Sequence, residues 1–258
     1  MKITILGSGT SVGVPQIGCT CKVCTSSDPR DKRLRCSGLV ETNGVRVLID
    51  CGPDFREQML RLNDFRPIDG VLVTHEHYDH VGSLDDLRPF CSFREIPVCA
   101  EDYVADRLQS RMPYCFVKHP YPGIPHIPLT RLRAGESFAL SNGEGRRVEI
   151  MPFRVLHGQL PILGYRIGQM AWITDMLTLP EESYSYLQGL DCLIMNALRF
   201  EKHWTHQSLS EALEKAKRIG ARETYFIHMS HDIGLHAETS ALLPEHIHLA
   251  YDGMEIML

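Results

Sequence analysis

The segment Thr74-His75-Glu76-His77-Tyr78-Asp79-His80 decides the fold of this chain. It places three imidazoles and a carboxylate within six residues, directly after the apolar residues 70–73, which have the character of a short buried strand. Imidazole and carboxylate ligands together suit Zn, Mn or Fe. Because the segment offers more ligands than one open metal site needs, it predicts two metal ions, and a pair of metals is typical of hydrolases.

The composition predicts a single globular domain over residues 1–258, because the chain is 43% hydrophobic and 23% charged. It has no apolar run long enough to span a membrane and no signal peptide, so we expect a cytoplasmic protein without a membrane partner. The net charge of −5 argues against nucleic acid held by a basic field. Nine cysteines indicate reduced thiols and metal ligands rather than a disulfide framework. The sequence leaves a homodimer open.

Apolar runs alternate with helical patterns along the chain, which predicts an α+β fold with mixed sheets. The clearest helix covers residues 208–220, with one apolar face, a capping box between Ser208 and Glu211, and a terminal glycine. Shorter helices are predicted over residues 54–63 and 181–187. The predicted strands cover residues 2–6, 45–49, 71–73, 97–99, 148–151, 171–173, 192–195 and 224–227.

Five prolines fall within residues 112–129, so this segment cannot form a helix or a central strand. We predict a long surface loop there, and the sequence leaves open whether it acts as a lid. His119 and His126 lie in it and are predicted to be solvent-exposed loop residues rather than ligands. The basic run from Arg30 to Arg35 is interpreted as a solvated surface.

Three of the predicted strands lead to one residue each that could bind a metal. These residues are His157, Asp175 and His228. Ligands that several strand ends deliver to one edge of a sheet are held rigidly, as a metal site requires. A single histidine after a strand is usually an ordinary loop residue, but together with residues 74–80 these three predict one shared site.

The residues of segment 74–80, followed by His157, Asp175 and His228, resemble the metal ligands of the metallo-β-lactamase superfamily in type and order. Asp50-Cys51-Gly52, after the strand at residues 45–49, resembles the superfamily's first motif. The resemblance covers essentially the whole chain and implies a four-layer αβ/βα sandwich with the metals at one edge. It implies that one metal is bound by His75, His77 and His157. It implies that the other is bound by Asp79, His80 and His228, with Asp175 as the bridge and Asp50 supporting the metal loops from behind.

A second candidate metal site is the tight group of thiols Cys19, Cys21 and Cys24. The spacing suits a tetrahedral zinc that lacks its fourth ligand, and partly buried reduced cysteines are the alternative. Such a loop resembles the PhnP-like subgroup of phosphoribosyl cyclic phosphodiesterases within the superfamily. In that subgroup the fourth ligand follows three residues after the last active-site histidine, which implies His231 here. The resemblance therefore implies a structural zinc in an N-terminal loop of about residues 18–36.

The resemblance implies an enzyme, a metal-dependent hydrolase that acts as a phosphodiesterase on small cyclic or nucleotide-like phosphodiesters through a metal-bridging hydroxide. The expected cofactors are two divalent metals, Zn or Mn, and one structural Zn. Asp79 and His206 are the expected catalytic residues. His206 stands where the subgroup places an active-site histidine, and it precedes the helix at Ser208, whose N-terminal dipole favours phosphate. His203 has no such support.

Three other functions stay open. RNA 3′-end processing by the same fold would need a protruding arm, and no long Gly/Lys-rich insertion supplies one. Thioester or lactone hydrolysis is a second alternative, although the cysteine loop favours the phosphodiesterase. A non-catalytic zinc or redox sensor would use the cysteine loop but would have no use for a complete open metal site. Residues 174–176 and 195–205 depart from what we expect of the close phosphodiesterases, so the substrate is the open question.

Overall fold

The structure is a computed structural model that describes residues 1–117 and 123–258. Within these residues the strands form two mixed sheets of seven strands each. The first sheet consists of β1 (Lys2–Gly7), β2 (Ser37–Thr42), β3 (Val45–Ile49), β4 (Gly70–Leu72), β5 (Val98–Glu101), β6 (Leu129–Leu132) and the last strand, β14 (Glu255–Met257). The second consists of β7 (Phe138–Ser141), β8 (Arg147–His157), β9 (Leu160–Ile167), β10 (Met170–Ile173), β11 (Cys192–Asn196), β12 (Glu223–Ile227) and β13 (Ile247–Leu249).

The strand orders are β14-β1-β2-β3-β4-β5-β6 and β13-β12-β11-β10-β9-β8-β7. In each sheet, parallel pairs meet near the metal-ligand candidates: β3 pairs with β4, and β10 pairs with β11, which pairs with β12. Parallel neighbours end at the same edge of a sheet, so the residues that follow these strands are brought together.

The space between the sheets forms the central hydrophobic core, with Ile5 and Val47 from the first sheet and Tyr165 and Trp172 from the second. Trp172 is fully buried, and a Cβ atom at Gly38 would lie 2.4 Å from its Cζ3 atom. Only glycine therefore allows β2 to pass this indole. Removing a buried aromatic side chain of this size typically costs about 3–5 kcal/mol of stability. This packing fixes β10, the strand that leads to Asp175.

Helices cover the outer faces of both sheets. They are α1 (Phe55–Leu62), α2 (Tyr78–Val81), α3 (Asp102–Arg111), α4 (Leu209–Ile219) and α5 (His236–Ser240). Phe55 of α1 and Leu108 of α3 pack on the first sheet, and Leu209 and Ala216 of α4 pack on the second. The layers run helix, sheet, sheet, helix, which confirms the α+β class and the four-layer αβ/βα sandwich predicted from the sequence.

The predicted strands are all present, and only β8 differs by more than two residues, because it runs on to His157. Pro152 is tolerated inside it because β7 pairs with β8 only as far as Ile150. Residues 181–187 form a 3₁₀ helix rather than an α-helix. The capping box of Ser208 and Glu211 is present, as predicted, and α4 ends at Gly220 with a left-handed φ of 70°.

The proline-rich segment is described only in part. Pro113–Phe116 form a 3₁₀ turn, and Leu129 begins β6. His126 is exposed, with its Nε2 atom 3.6 Å from the Glu95 carboxylate, as expected for a loop histidine. His119 lies outside the described residues. Among the helices of the described ranges, none has the length and apolar character needed to cross a membrane.

Candidate metal centre

Residues 74–80 and the three strand-end residues meet at one edge of the sandwich and form two groups of ligand atoms. Within each group all ligand atoms lie within 4.8 Å of one another. The first group is His75, His77 and His157, and the second is Asp79, His80, Asp175 and His228. Asp175 also groups with His157 and His206, so its carboxylate connects the two sets. The structure thus brings together all seven residues that the sequence analysis selected.

In the second group, imidazole nitrogens and carboxylate oxygens face one another at short range. His80 Nε2 lies 3.1 Å from carboxylate oxygens of both Asp79 and Asp175. His228 Nε2 lies 3.2 Å from Asp175 and 3.6 Å from Asp79. Neither Nε2 atom has an aligned hydrogen-bond partner among the described residues, although both are buried. Buried polar atoms that converge without pairing fit a site built to hold a cation.

The charges of the second group support the same interpretation. Burial opposes a charge on His80, but Asp79, Asp175 and Asp50 outweigh it and hold the pKa of His80 well above its usual range. Burial would also raise the pKa of Asp175, yet the imidazoles of His228 and His80 hold it well below its usual range. The carboxylates are therefore ionised. Without a metal, a protonated His80 compensates part of their charge, and a bound divalent metal would displace that proton and supply the positive charge itself.

The first group has the opposite character. Burial is the largest cause of a lowered pKa at His75, His77 and His157. These imidazoles are therefore neutral, with lone pairs available to a metal. His75 Nε2 lies 2.9 Å from His77 Nδ1. A neutral three-histidine set beside a carboxylate-rich set is a donor combination that zinc and manganese accept.

Asp50 holds the segment that carries the ligands. Its buried carboxylate accepts hydrogen bonds from the Thr74 amide at 2.8 Å and the Thr74 hydroxyl at 2.9 Å. Its other contact is His80 Nδ1, at 2.7 Å. A partner at Nδ1 turns the opposite nitrogen, Nε2, toward the ligand group, which is how outer carboxylates orient metal-binding histidines. A Cβ atom at Gly52 would lie 2.0 Å from the Asp79 carbonyl oxygen, so glycine is needed beside this segment.

Backbone strain is concentrated at this edge. Asp50, Asp175 and His228 have left-handed φ angles of 58°, 55° and 55°. Such a conformation costs about 1–3 kcal/mol at a residue with a side chain, and it persists only where the surroundings impose it. Each of these residues follows a strand end, where the left-handed turn directs its side chain away from the sheet. The strain therefore indicates a functional site.

His206 contacts the centre directly. Its Nε2 atom lies 2.9 Å from Asp175 Oδ1, and its ring centroid is 4.6 Å from that of His157. Burial lowers the pKa of His206, and the Asp175 carboxylate opposes this shift only in part. The neutral imidazole that results can donate one hydrogen bond, and in this arrangement Asp175 accepts it.

The sequence analysis assigned no role to His203, Thr205 and Asn196, yet all three support the centre. His203 Nδ1 lies 3.3 Å from His206 Nδ1, and the Thr205 carbonyl oxygen lies 3.0 Å from His157 Nδ1. The buried Asn196 side chain accepts from the Met176 amide at 2.8 Å and donates to the Met176 carbonyl at 3.0 Å. The sequence could have indicated Asn196, because it is a polar residue at the end of an apolar strand. No sequence pattern pointed to His203 or Thr205.

The expectation that the N-terminus of α4 favours phosphate is wrong. The Ser208 amide donates to the Glu211 carboxylate at 2.8 Å, and the Leu209 amide donates to the Arg199 carbonyl at 2.7 Å. The Glu211 amide is taken by the Ser208 hydroxyl at 3.4 Å. The capping box therefore uses the amide groups that would face an anion, and it adds the negative charge of Glu211.

Three cysteine thiols lie around His231, at the far end of the turn that begins at His228 (the His228 turn). The sulfur atoms of Cys19, Cys21 and Cys24 lie 3.2, 3.3 and 3.5 Å from His231 Nδ1. Ligands at tetrahedral zinc, with Zn–S near ~2.3 Å and Zn–N near ~2.0 Å, stand about 3.5 Å apart. The Cys24 amide is the main cause that lowers the pKa of Cys21 to about 6, whereas burial raises the pKa of Cys24 to about 11. The geometry fits a closed zinc site.

Arg33 links the thiol loop to the metal centre. The interpretation of the basic run as a solvated surface is wrong for this residue, whose side chain is fully buried. Its guanidinium donates to the carbonyls of Ser230 at 3.1 Å and Gly234 at 3.2 Å, on either side of His231. A buried guanidinium needs compensating partners, and here the two carbonyls of the turn and the Asp31 carboxylate, 3.4 Å away, supply them to its terminal nitrogens.

The profile of the Beta-lactamase superfamily domain matches residues 45–229. The chain belongs to this superfamily. It is similar to the crystal structure of a diphosphatase from the PhnP family, with 40% identity, a TM-score of 0.88, and coverage of 99% of this chain and 96% of that chain. Zn²⁺-bound PqqB from Methylobacterium extorquens shares the fold, with a TM-score of 0.81 at 19% identity over 100% of both chains.

A further relative is the octanoyltransferase of Porphyromonas gingivalis (strain ATCC BAA-308 / W83). It is 45% identical over 260 residues, which cover 100% of this chain and 52% of that protein. The chain thus spans about half the length of this relative. The resemblance recognised in the sequence is confirmed: the chain has the metallo-β-lactamase fold and is close in structure to a PhnP-family diphosphatase.

Proposed function

We propose that the protein is a phosphodiesterase that uses two divalent metals, Zn or Mn, and acts on small cyclic or nucleotide-like phosphodiesters in the cytoplasm. The observation that carries this proposal is the carboxylate of Asp175, which belongs to the ligand groups on both sides of the centre. Two adjacent metal sites suit displacement at phosphorus, since the attacking and the leaving oxygen both need stabilisation. The 40% identity to a PhnP-family diphosphatase supports phosphorus as the reacting atom.

In this proposal His75, His77 and His157 hold one metal, and the second group holds the other, with Asp175 shared. When bound, the metals would supply an activated water and neutralise the phosphate charge. The protein's own groups fix the ligands before the substrate arrives. Asp50 orients His80, and the Thr205 carbonyl orients His157 through its Nδ1 atom. Such partners at the far nitrogen typically contribute about 10–100-fold to metal affinity or activity.

His206 contacts the shared carboxylate but is not among the seven proposed metal ligands. Its Nε2–H donates to Asp175 Oδ1, and its Nδ1 lies 3.0 Å from the Thr205 hydroxyl. This arrangement holds the shared carboxylate in one orientation. Because Asp175 takes the single N–H of the neutral ring, the contacts support His206 as the residue that positions this carboxylate.

The His206→Ala variant should lower the turnover of a phosphodiester by up to about 10²-fold, because it removes the hydrogen-bond partner that holds the shared carboxylate in one orientation. His203→Ala should have a smaller effect, since His203 contacts none of the seven proposed ligands and acts through His206 and Thr205. The measurement is kcat of the metal-loaded variants, with metal content determined on the same samples. His126→Ala, in an exposed loop, is the control and should match the wild type. Wild-type turnover in His206→Ala would show that this role is wrong.

A second candidate function is the hydrolysis of an acyl thioester. The observation that favours it is the 45% identity to half of a protein named octanoyltransferase. That name describes a protein about twice as long, so the activity of the whole does not carry over to this half. A thioester carbonyl would use the same metals as Lewis acids, but it would place less charge in the site than a phosphodiester does.

A substrate panel separates the two candidates. The protein loaded with Mn²⁺ or Zn²⁺ should cleave 2′,3′-cyclic AMP and leave an octanoyl thioester and a simple lactone intact. The readout is product formation measured by chromatography, with metal-stripped protein as the blank. Turnover of the thioester without turnover of any phosphodiester would reverse the order of the two candidates.

A further inference from the structure

Trp204 is a large aromatic side chain that the fold leaves in solvent beside the metal centre. It is 91% exposed, the highest value among the exposed aromatic residues in the described part of the chain. The other tryptophan, Trp172, is fully buried. Trp204 lies between His203 and Thr205, both of which contact ligands of the centre or their partners. An indole gains more from burial than almost any side chain, so its exposure at this place requires a reason.

The loop that carries Trp204 is anchored to the site after the indole and is closed by a local contact before it. After it, the Thr205 carbonyl meets His157 Nδ1 at 3.0 Å, and the Thr205 amide donates to His203 Nδ1 at 3.3 Å. Before it, the Arg199 guanidinium donates to the Lys202 carbonyl at 3.1 Å. The backbone at Trp204 is therefore held relative to the metal ligands, and little conformational entropy remains to be lost when a ligand packs on the indole.

A row of imidazole rings leads from the centre toward Trp204. The ring centroids of His157 and His206 are 4.6 Å apart, and those of His206 and His203 are 5.1 Å apart. Trp204 is the next residue after the outermost of these rings. The loop that carries the indole is thus two ring contacts away from His157, close enough for a substituent on a phosphate bound at the ligand groups.

The surroundings of the indole favour a planar ring over an alkyl chain. Most of the neighbouring loop side chains are polar, and those of Glu201 and Lys202 are exposed; Phe200, which is 45% exposed, is the apolar exception. An alkyl chain gains free energy in proportion to the apolar area that it buries, and apart from Trp204 and Phe200, whose ring lies toward Gly234, this loop offers it little such area. A nucleobase needs only an aromatic face and keeps its polar edges in water, so it gains from one exposed indole.

We propose that Trp204 is a stacking platform for the base of a nucleotide-like substrate, which makes it a specificity-determining residue of this site. The proposal rests on the proposed phosphodiesterase function and adds the class of its substrate: phosphodiesters that carry a planar heterocycle. Base–aromatic stacking tolerates different bases, since every base has a π-face, so the platform selects for the presence of a base more than for its identity.

Intrinsic fluorescence tests the platform without turnover. Because Trp172 is buried, Trp204 is the tryptophan whose emission a stacked base can quench. AMP should quench the Zn²⁺-loaded protein saturably, and ribose 5-phosphate at the same concentrations should not. The emission that remains in Trp204→Phe should not respond to AMP. Phe200→Ala is the matched control, because Phe200 lies on the same loop but is directed toward Gly234, 4.0 Å from the position of a Cβ atom there. Equal responses to the two phosphates, or quenching by octanoate instead of AMP, would refute the platform.

Kinetics give a second, independent readout. Trp204→Ala should raise KM for 2′,3′-cyclic AMP by roughly 5- to 100-fold, the factor that stacking of one base supplies, with little change in kcat. It should leave the hydrolysis of a base-free 1-O-methylribose 2,3-cyclic phosphate unchanged, and Trp204→Phe should retain most of the affinity for the base. Equal losses on both esters would refute the platform while the phosphodiesterase proposal stands. Quenching by AMP in a protein that cleaves neither ester would refute the phosphodiesterase and keep the platform.

Discussion

Asp175→Asn should reduce hydrolysis by at least about 10³-fold, the largest effect we expect from a single substitution. The carboxylate lies 3.1 Å from His80 and 3.2 Å from His228 of the second group, and it also groups with His157 of the first, so one side chain connects both ligand groups. An amide keeps the shape but removes the charge that the metals require, and a metal's contribution to transition-state stabilisation is several kcal/mol. Asparagine also tolerates the left-handed φ of 55° at this position, so the variant should fold.

The measurement is kcat/KM on the phosphodiester together with the number of metal ions per chain. We expect the variant to retain fewer metals than the wild type at the same metal concentration. Asp106→Asn is the matched control, because this exposed aspartate only pairs with Arg131 on the surface. Asp175→Asn with normal turnover and full metal content would contradict the shared-ligand role. Normal metal content with lost turnover would instead assign Asp175 to the chemistry alone.

The ligands could be predicted from sequence because each stands at a point where a local pattern breaks. An apolar strand can be recognised from its own residues, and a histidine or aspartate at its end contrasts with them. Parallel strands then bring such ends together by geometry alone, as β10 and β12 do for Asp175 and His228. The resemblance to the superfamily added which ligand belongs to which metal, and no local pattern contains that assignment.

The residues that orient the ligands could not be predicted, because their roles depend on contacts between distant parts of the chain. Thr205 acts through a backbone carbonyl, which any residue type possesses, and it meets a histidine 48 positions away. His203 acts through its neighbours Thr205 and His206, and two histidines three residues apart in a loop do not by themselves indicate a contact. Arg33 was assigned to a solvated surface because its neighbours are charged, but the carbonyls that bury it come from the His228 turn, 197 and 201 positions later.

A correct local prediction can also carry a wrong functional conclusion, as the start of α4 shows. The capping box of Ser208 and Glu211 was evident from the sequence, and so was a helix N-terminus close to His206. The capping box weakens phosphate binding at this helix N-terminus, because the Glu211 carboxylate accepts the Ser208 amide there. In the proposed mechanism the metals, and not the N-terminus of α4, supply the positive charge that binds the phosphate.

Cys21→Ser should lower the zinc content by one ion per chain and reduce the melting temperature by roughly 10–20 °C. Loss of a structural metal belongs to the most damaging class of substitutions, about 4–5 kcal/mol, and a domain of this size shifts by about 2–4 °C for each kcal/mol. Serine keeps the size of the side chain but is not a thiolate. The Cys21 thiol has its pKa lowered to about 6, so at neutral pH it is the ready-made anionic ligand of the group.

The same substitution should also weaken the metal centre, because the two sites share one turn. His231 follows His228 by three residues, Arg33 binds the carbonyl of Ser230 between them, and the Thr10 amide donates to the Met229 carbonyl at 3.1 Å. If the thiol loop detaches, the turn that sets the left-handed φ of His228 loses its support on one side. Cys91→Ser, which changes a thiol outside the cluster, should alter neither zinc content nor turnover. Unchanged zinc content in Cys21→Ser would reject the structural zinc. Lost zinc with intact turnover would keep the structural zinc but disprove the coupling through this turn.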